Sequence, residues 1–275
     1  MSLLNQLANA LANWVLAPWA SQSPWVALAF ASLLAAGVMV ALFHVSSDQQ
    51  ALRRGRDRFI ARLLELLLFQ HDLRVNLSAC GRIFRANLSY LGALLRPMLV
   101  AAVPFVIIFI QLACWFEWRP LKVGETAVLE VELDKSHPVA QTNVDLTAPA
   151  IARIDSAGVR SLASNELAWR LRATGPGAGP IAVRVAGTTE FKVLAVGQQL
   201  TRIAPLRVAP GFWNQLLQPS EPALPAAGPI RRIEITYPPR QLLAWGHEVH
   251  WTIAAVVLMM LFGLLLGRLF GVRVA

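Results

Sequence analysis

The sequence predicts an α+β membrane protein with three transmembrane helices, a cytoplasmic helical hairpin and an extracytoplasmic antiparallel β-sandwich of immunoglobulin-like type. Three observations support this fold class. Three windows are apolar and contain no Asp, Glu, Lys or Arg. A Leu- and Arg-rich segment of helical periodicity joins the first two windows, and short alternating segments separated by Gly and Pro join the last two. Only 15% of the 275 residues are charged, against roughly 25% in a soluble domain.

The transmembrane helices are predicted from length and composition at 25–44, 98–116 and 249–267. Each window is close to the roughly 20 apolar residues that a helix needs to cross the hydrocarbon core. Trp25, Trp115 and Trp251 lie near the ends of these windows, as interfacial aromatic residues do. Pro104 is expected to kink the second helix and to free one carbonyl group inside it.

The distribution of Lys and Arg predicts the orientation. Residues 1–24 contain neither, whereas residues 45–97 contain nine arginines. The positive-inside rule therefore predicts an inner-membrane protein with its N-terminus outside, residues 117–250 outside and its C-terminus in the cytoplasm. The net charge of +9 comes largely from arginines beside the spans, which suit contact with anionic lipids. We expect no direct nucleic-acid binding except through a ribosome.

Residues 1–19 are predicted to form a short amphipathic helix. Asn5, Asn9 and Asn13 recur every four residues on one face, and leucines fill the opposite face. We expect this helix to lie on the outer leaflet. The alternative is a helix packed on the outer domain, and the pattern does not separate these two positions.

Residues 47–96 are predicted to form a cytoplasmic helical hairpin that turns near Gln70, His71 and Asp72. The hairpin can be buried against itself, or it can contact lipid or another protein. The number of apolar positions favours the second interpretation, because two helices cannot bury them all. Its basic contacts with lipid or ribosome are assigned to Arg53, Arg54, Arg56, Arg58, Arg62, Arg82 and Arg85.

The β-sandwich is predicted at 121–208, with Trp169 in its core. Residues 209–229 are rich in Pro and Ala and are predicted to be a linker with a helical turn at FWNQLL. Residues 230–248 are predicted to hold one more strand and a connector. The strands are expected at 126–133, 142–147, 150–155, 166–172, 180–186, 189–196, 201–208 and 231–237.

Catalytic and cofactor motifs give little support to an enzyme. The sequence HEVH at 247–250 places its histidines three residues apart, whereas a zinc protease needs HExxH to put both rings on one helical face. Interfacial polar residues account for this cluster better than a metal does. The chain contains no serine elbow, phosphate loop or dinucleotide fingerprint. We therefore expect a protein that is not an enzyme and that uses no cofactor.

The order of these segments, together with LRPMLVAAVPFVIIFIQL at 95–112, resembles the three-helix core of the YidC/Oxa membrane-insertase superfamily. The resemblance covers residues 25–116 and 249–270 and is strongest to the small archaeal and endoplasmic-reticulum members. It implies an insertase-like membrane-protein chaperone whose three spans form a groove for client proteins. The polar groups available to such a groove are Ser32, Gln111, Thr252 and the carbonyl freed by Pro104.

Two features depart from that superfamily. The outer domain lies between the second and third spans, and the first span contains no Arg of the kind that bacterial insertases place in the groove. The alternative is a structural or accessory subunit that anchors a periplasmic β-sandwich in a larger membrane complex. Both hypotheses require other membrane proteins as partners, either as clients or as stoichiometric subunits.

Overall fold

The structure is a computed structural model that describes residues 3–46, 60 and 73–269. Its described residues form an α+β protein, as predicted. Three helical stretches are long and apolar enough to cross a membrane: Pro24–Ser46, Met98–Phe116 and Trp251–Leu269. The α-helices are α1 (Leu3–Leu16), α2 (Pro24–Ser46), α3 (Leu73–Phe116), α4 (Phe212–Leu217) and α5 (Trp251–Leu269), and a 3-10 turn occupies Ala17–Trp19.

The second span continues into the predicted second arm of the hairpin. Helix α3 has 44 residues and remains helical through positions 97 and 104, both of which are proline. At a rise of 1.5 Å per residue it is about 66 Å long, roughly twice the hydrocarbon core of a bilayer. The predicted first arm, the turn near Gln70 and the arginines from Arg53 to Arg62 lie outside the described residues, apart from a helical Ile60. Arg82 and Arg85 lie on the helical backbone of α3.

The chain divides into two units. One comprises Met1–Ala31 with Ile108–Ala255, and the other comprises Ser32–Ile107 with Val256–Ala275. The first unit therefore holds the β-domain together with α1 and the adjoining turns of all three apolar helices. The second unit holds the remainder of those helices.

The β-domain consists mainly of two antiparallel sheets. The larger sheet has the order β3-β5-β1-β9-β8, with β4 also paired to β5, and the smaller sheet has the order β2-β6-β7. A separate hairpin pairs β10 with β11. The strands are β1 (Thr126–Leu133), β2 (Val144–Thr147), β3 (Ala152–Ile154), β4 (Val159–Ser161), β5 (Glu166–Ala173), β6 (Gly177–Val185), β7 (Thr188–Val196), β8 (Leu206–Val208), β9 (Ile230–Ile235), β10 (Leu242–Ala244) and β11 (His247–Val249).

One hydrophobic core lies between the two sheets. Strand β1 alternates along TAVLEVEL, so that Leu129 and Val131 are fully buried while the residues between them face outward. The smaller sheet contributes Ile181 and Val183 to the same core. Trp169 of β5 is buried there, as predicted. The described β-domain is therefore a sandwich.

The folded unit extends past the predicted sandwich boundary at residue 208. Strand β9, which we expected as a separate strand at 231–237 outside the sandwich, pairs with both β1 and β8 in the larger sheet. The predicted linker at 209–229 is also part of the fold, because Leu224 is buried in the core and its N–H donates to the carbonyl of Val208 at 2.9 Å. Helix α4 occupies the FWNQLL segment within it.

The strand order departs from the immunoglobulin order expected from sequence. In a constant-type immunoglobulin domain the first strand lies at a sheet edge beside the second. Here β1 lies between β5 and β9, and β2 belongs to the other sheet. The reason is that β9, from the far end of the domain, pairs with β1 and completes the larger sheet.

Candidate functional site

The four residues predicted to line a groove have different surroundings. Ser32 is buried and its hydroxyl has no hydrogen-bond partner among the described residues. Pro104 is half-buried within α3. Gln111 is buried with one hydrogen bond at each of its two amide atoms, and the hydroxyl of Thr252 contacts the Nδ1 atom of His250. No contact described in the structure joins any two of these four residues.

Gln111 belongs to a polar cluster centred on the guanidinium group of Arg202. Arg202 Nη2 donates to Gln111 Oε1 at 2.8 Å and to Asn9 Oδ1 at 2.5 Å, and its Nε donates to Ser220 Oγ at 3.0 Å. Gln111 Nε2 in turn donates to Asn9 Oδ1 at 3.0 Å. The cluster therefore joins α1, the C-terminal part of α3 and the Pro-rich segment, and it provides the hydrogen bonds that a half-buried guanidinium needs.

The asparagine face of α1 lies against the β-domain. Asn5 Nδ2 donates to the carbonyl of Gln215 and Asn9 Nδ2 to the carbonyl of Pro219, both at 2.6 Å. The opposite face is exposed, and its leucines and Trp14 are between 63% and 79% accessible. The helix thus packs on the outer domain, which is one of the two positions left open by the sequence. Its apolar face still points away from the protein.

Further hydrogen bonds join the sandwich to the adjoining ends of the apolar helices. The N–H groups of Leu200, Ile203 and Arg240 donate to the carbonyls of Ala20, Cys114 and Glu117 at 3.0, 2.9 and 2.9 Å. Trp25 Nε1 at the start of α2 donates to the carbonyl of Leu243 at 2.9 Å, and Trp251 Nε1 at the start of α5 donates to the Glu117 carboxylate. The β-domain is consequently bonded to the chain around the start of α2 and the end of α3, and α5 is bonded to Glu117 just after α3.

The HEVH segment begins in the second strand of a β-hairpin. His247 and Glu248 belong to β11, and the Glu248 carboxylate accepts a hydrogen bond from the side chain of Gln241 at 2.8 Å. His250 Nε2 lies 4.0 Å from Glu117 Oε1. The described residues contain no group of three His, Cys, Asp or Glu side chains that could hold a metal ion.

Two charged side chains of the β-domain, Lys192 and Arg240, are buried, and Glu125 is partly exposed. Lys192 has no accessible surface, and its Nζ is 2.6 Å from Glu221 Oε2, yet burial lowers the pKa of the ammonium group. The bidentate pair with Arg119 lowers the pKa of Glu125 to about 2. Arg240 is only 8% accessible, and burial lowers its pKa to about 10. The Lys192–Glu221 pair fixes the Pro-rich segment on β7.

The second unit contains an apolar groove of about 630 Å³. It is lined by α2 from Leu33 to His44 and by Leu266 of α5. Gly37 has no side chain to fill this groove. A Cβ atom built there would lie 3.9 Å from Leu266 Cδ1, so the groove has room beside this residue. The lining includes none of the four residues that we predicted for a groove, and its only ionisable member is His44.

Arg202 is the residue of this region that the sequence did not reveal. The spacing of Asn5, Asn9 and Asn13 identified one side of the contact, but Arg202 follows them by about 190 positions in a segment predicted only as a strand. Comparison with protein-family models, with curated proteins and with solved structures finds no match to this chain. A function for the chain therefore has to be inferred from this geometry.

Proposed function

We propose that the chain is a membrane-anchored scaffold or accessory subunit. In this proposal α2, the outer part of α3 and α5 cross the cell inner membrane, with the N-terminus outside and the C-terminus in the cytoplasm. Residues 117–250 then lie on the periplasmic side, and the sandwich binds a stoichiometric partner protein there. The orientation follows from the arginine distribution.

The attachment of the β-domain beside the helix ends carries this proposal. A domain joined only through long flexible segments would lack such contacts. Here Leu200, Ile203 and Arg240 are hydrogen-bonded directly to the chain just before α2 and at the end of α3. A domain attached in this way suits the assembly of a complex at the membrane.

The outer face of the smaller sheet is the surface that we assign to the partner. Phe191 and Val193 of β7 are about half exposed there, on either side of the buried Lys192. Thr189 lies on the same strand and, by the alternation of side chains, on the same face, with no large apolar group. Phe191 and Val193 lie two residues apart on one face of β7 and form a small exposed apolar patch, to which we assign the partner.

The test is purification of the full chain from gently solubilised membranes with its partner quantified. We expect one protein at fixed stoichiometry, and we expect Phe191→Lys to release it while Thr189→Lys retains it. Loss with both variants, or with neither, would show that this face does not bind the partner. Recovery of ribosomes and a mixture of nascent membrane proteins would favour the second candidate instead.

The second candidate is an insertase-like membrane-protein chaperone, as the resemblance to the YidC/Oxa superfamily implies. The apolar groove along α2 favours it, as does the extension of α3 by about 25 residues beyond the span. Gly37→Leu should fill the groove and slow insertion of short-tailed membrane proteins into vesicles that contain the chain. Gly263→Leu is the matched control, because Gly263 of α5 has open space around it and does not line the groove. If vesicles with the wild-type chain insert these proteins no faster than vesicles without it, this candidate is excluded.

A further inference from the structure

We infer that the β-domain has an interfacial platform of three apolar elements that lies in the lipid headgroup region of the adjoining leaflet. The elements are the exposed face of α1, helix α4 and the turn of the β10–β11 hairpin. The inference rests on the proposed membrane placement and not on the proposed partner. Its failure would therefore leave the scaffold function untouched.

Helix α1 provides the first element. Its polar and apolar faces are turned the opposite way from those of a surface helix on a soluble protein. A surface helix normally turns its apolar side to the core and its polar side to water. Here the asparagines face the protein, while Leu3, Leu7 and Leu11 face outward. This face carries no charge, and α1 leads through the Ala17–Trp19 turn into the apolar helix α2. Lipid is therefore the environment that fits its outward face.

Helix α4 adjoins α1 and provides the second element. Asn5 of α1 donates to the backbone carbonyl of Gln215 in α4, so the two helices are in direct contact. Phe212 and Trp213 are 75% and 68% accessible and pack edge to face at 5.2 Å between ring centroids. Aromatic residues of this kind concentrate where protein meets the bilayer interface.

The hairpin turn provides the third element, and its backbone is strained. Trp245 and Gly246 form a two-residue turn in which both residues have positive φ, 49° and 83°. This turn type favours Asn or Asp at its first position, and a bulky residue there is uncommon. Trp245 nevertheless occupies this first turn position, and it is 98% accessible. Backbone strain of this kind is retained where the side chain has a function other than stabilising the fold.

The hairpin also lies at the level of the membrane boundary. Its Leu243 carbonyl accepts the hydrogen bond from Trp25, in the first turn of α2, and β11 ends two residues before α5 begins at Trp251. A Trp at the turn of this hairpin is consequently close in sequence and in space to the ends of two apolar helices. A partner protein would not need this proximity, whereas an interfacial anchor requires it.

Spin labels test the platform in the full chain. Single cysteines replace Leu7, Trp213 or Trp245 in a background in which both native cysteines are serine, and each labelled chain is placed in nanodiscs of phosphatidylcholine and phosphatidylglycerol. Oxygen, which partitions into lipid, should relax these labels more strongly than a water-soluble nickel chelate does. A label at Leu162, an exposed apolar residue of the β4–β5 connection, should show the reverse ratio.

Two results would overturn the inference. A ratio in favour of nickel at two of the three sites would place them in water, and poor access for both reagents would show a covering protein. The unlabelled chain gives a second measurement with brominated lipid as the quencher of tryptophan fluorescence. Trp14→Tyr and Trp245→Tyr should each lower the quenched fraction, whereas Trp169→Tyr, in the sandwich core, should not. Equal effects of all three substitutions would also contradict the platform.

Discussion

Because β9 lies in the middle of the larger sheet, we expect that the sandwich cannot fold without it. A fragment of residues 119–208 ends where the sequence placed the domain boundary and lacks β9, whereas a fragment of residues 119–241 contains it. Strand β9 pairs with β1 on one side and with β8 on the other. The shorter fragment therefore loses a strand from the middle of the larger sheet.

The magnitude follows from what β9 buries. Ile230, Ile233 and Ile235 are each 2% accessible or less. Burial of a large aliphatic side chain contributes about 1.5–3 kcal/mol, so the three together contribute on the order of 5–9 kcal/mol. A domain of this size has a free energy of unfolding of about 5–15 kcal/mol. The loss is thus comparable to the whole stability, and the shorter fragment should not fold.

Urea unfolding followed by tryptophan fluorescence is a suitable assay. Trp169 is the only tryptophan in residues 119–208, and Trp213→Tyr makes it the only one in the longer fragment. The longer fragment should unfold cooperatively, and Ile233→Ala should lower its stability by about 2–5 kcal/mol. A cooperative transition in the shorter fragment, with blue-shifted Trp169 emission in water, would refute the essential role of β9.

Two further predictions concern topology and a buried ion pair. In a Cys-free background, Ser136→Cys should react with an impermeant thiol reagent from outside and Asn76→Cys should not, and the reverse result would invert the proposed orientation. Glu221→Gln should cost about 3–5 kcal/mol because it leaves the Lys192 ammonium buried without its partner, and Lys192→Met added to it should restore most of that loss. Since burial lowers the Lys192 pKa below 10.5, the unfolded chain binds the proton more tightly, and stability should rise as the pH approaches 10.5. In Glu221→Gln the rise should begin at lower pH, and a pH profile unchanged from wild type would contradict this account.

The sequence predicted those elements whose signal is local. The alternation of TAVLEVEL matched β1 at both ends, and FWNQLL matched α4. The three apolar helices were also identified, because charge-free windows of that length are typical of membrane spans and uncommon in soluble domains. In each case the pattern of apolar residues along the sequence was enough to identify the element, without knowledge of the strand or helix that it packs against.

Features that depend on distant partners were missed. RRIEITY was identified as a strand, but nothing in it indicates that β9 pairs with β1, which lies about 100 residues earlier. The Pro-rich segment has the composition of a linker, yet Glu221 and Leu224 attach it to the core. The β10–β11 hairpin was missed because its turn is Trp245–Gly246 and not Asn-Gly.

The asparagines of α1 show how the polar face of a short helix can be satisfied within the protein while the opposite, apolar face stays exposed. A charged face would have to be paired or solvated, which would draw the helix toward water. An amide can both donate and accept, so Asn9 donates to the carbonyl of Pro219 while it accepts from Arg202 and Gln111. The polar side of α1 is thereby satisfied within the protein, while Leu3, Leu7 and Leu11 stay exposed. Because Gln111 belongs to the C-terminal part of α3, the same contacts join α1 to that end of the helix.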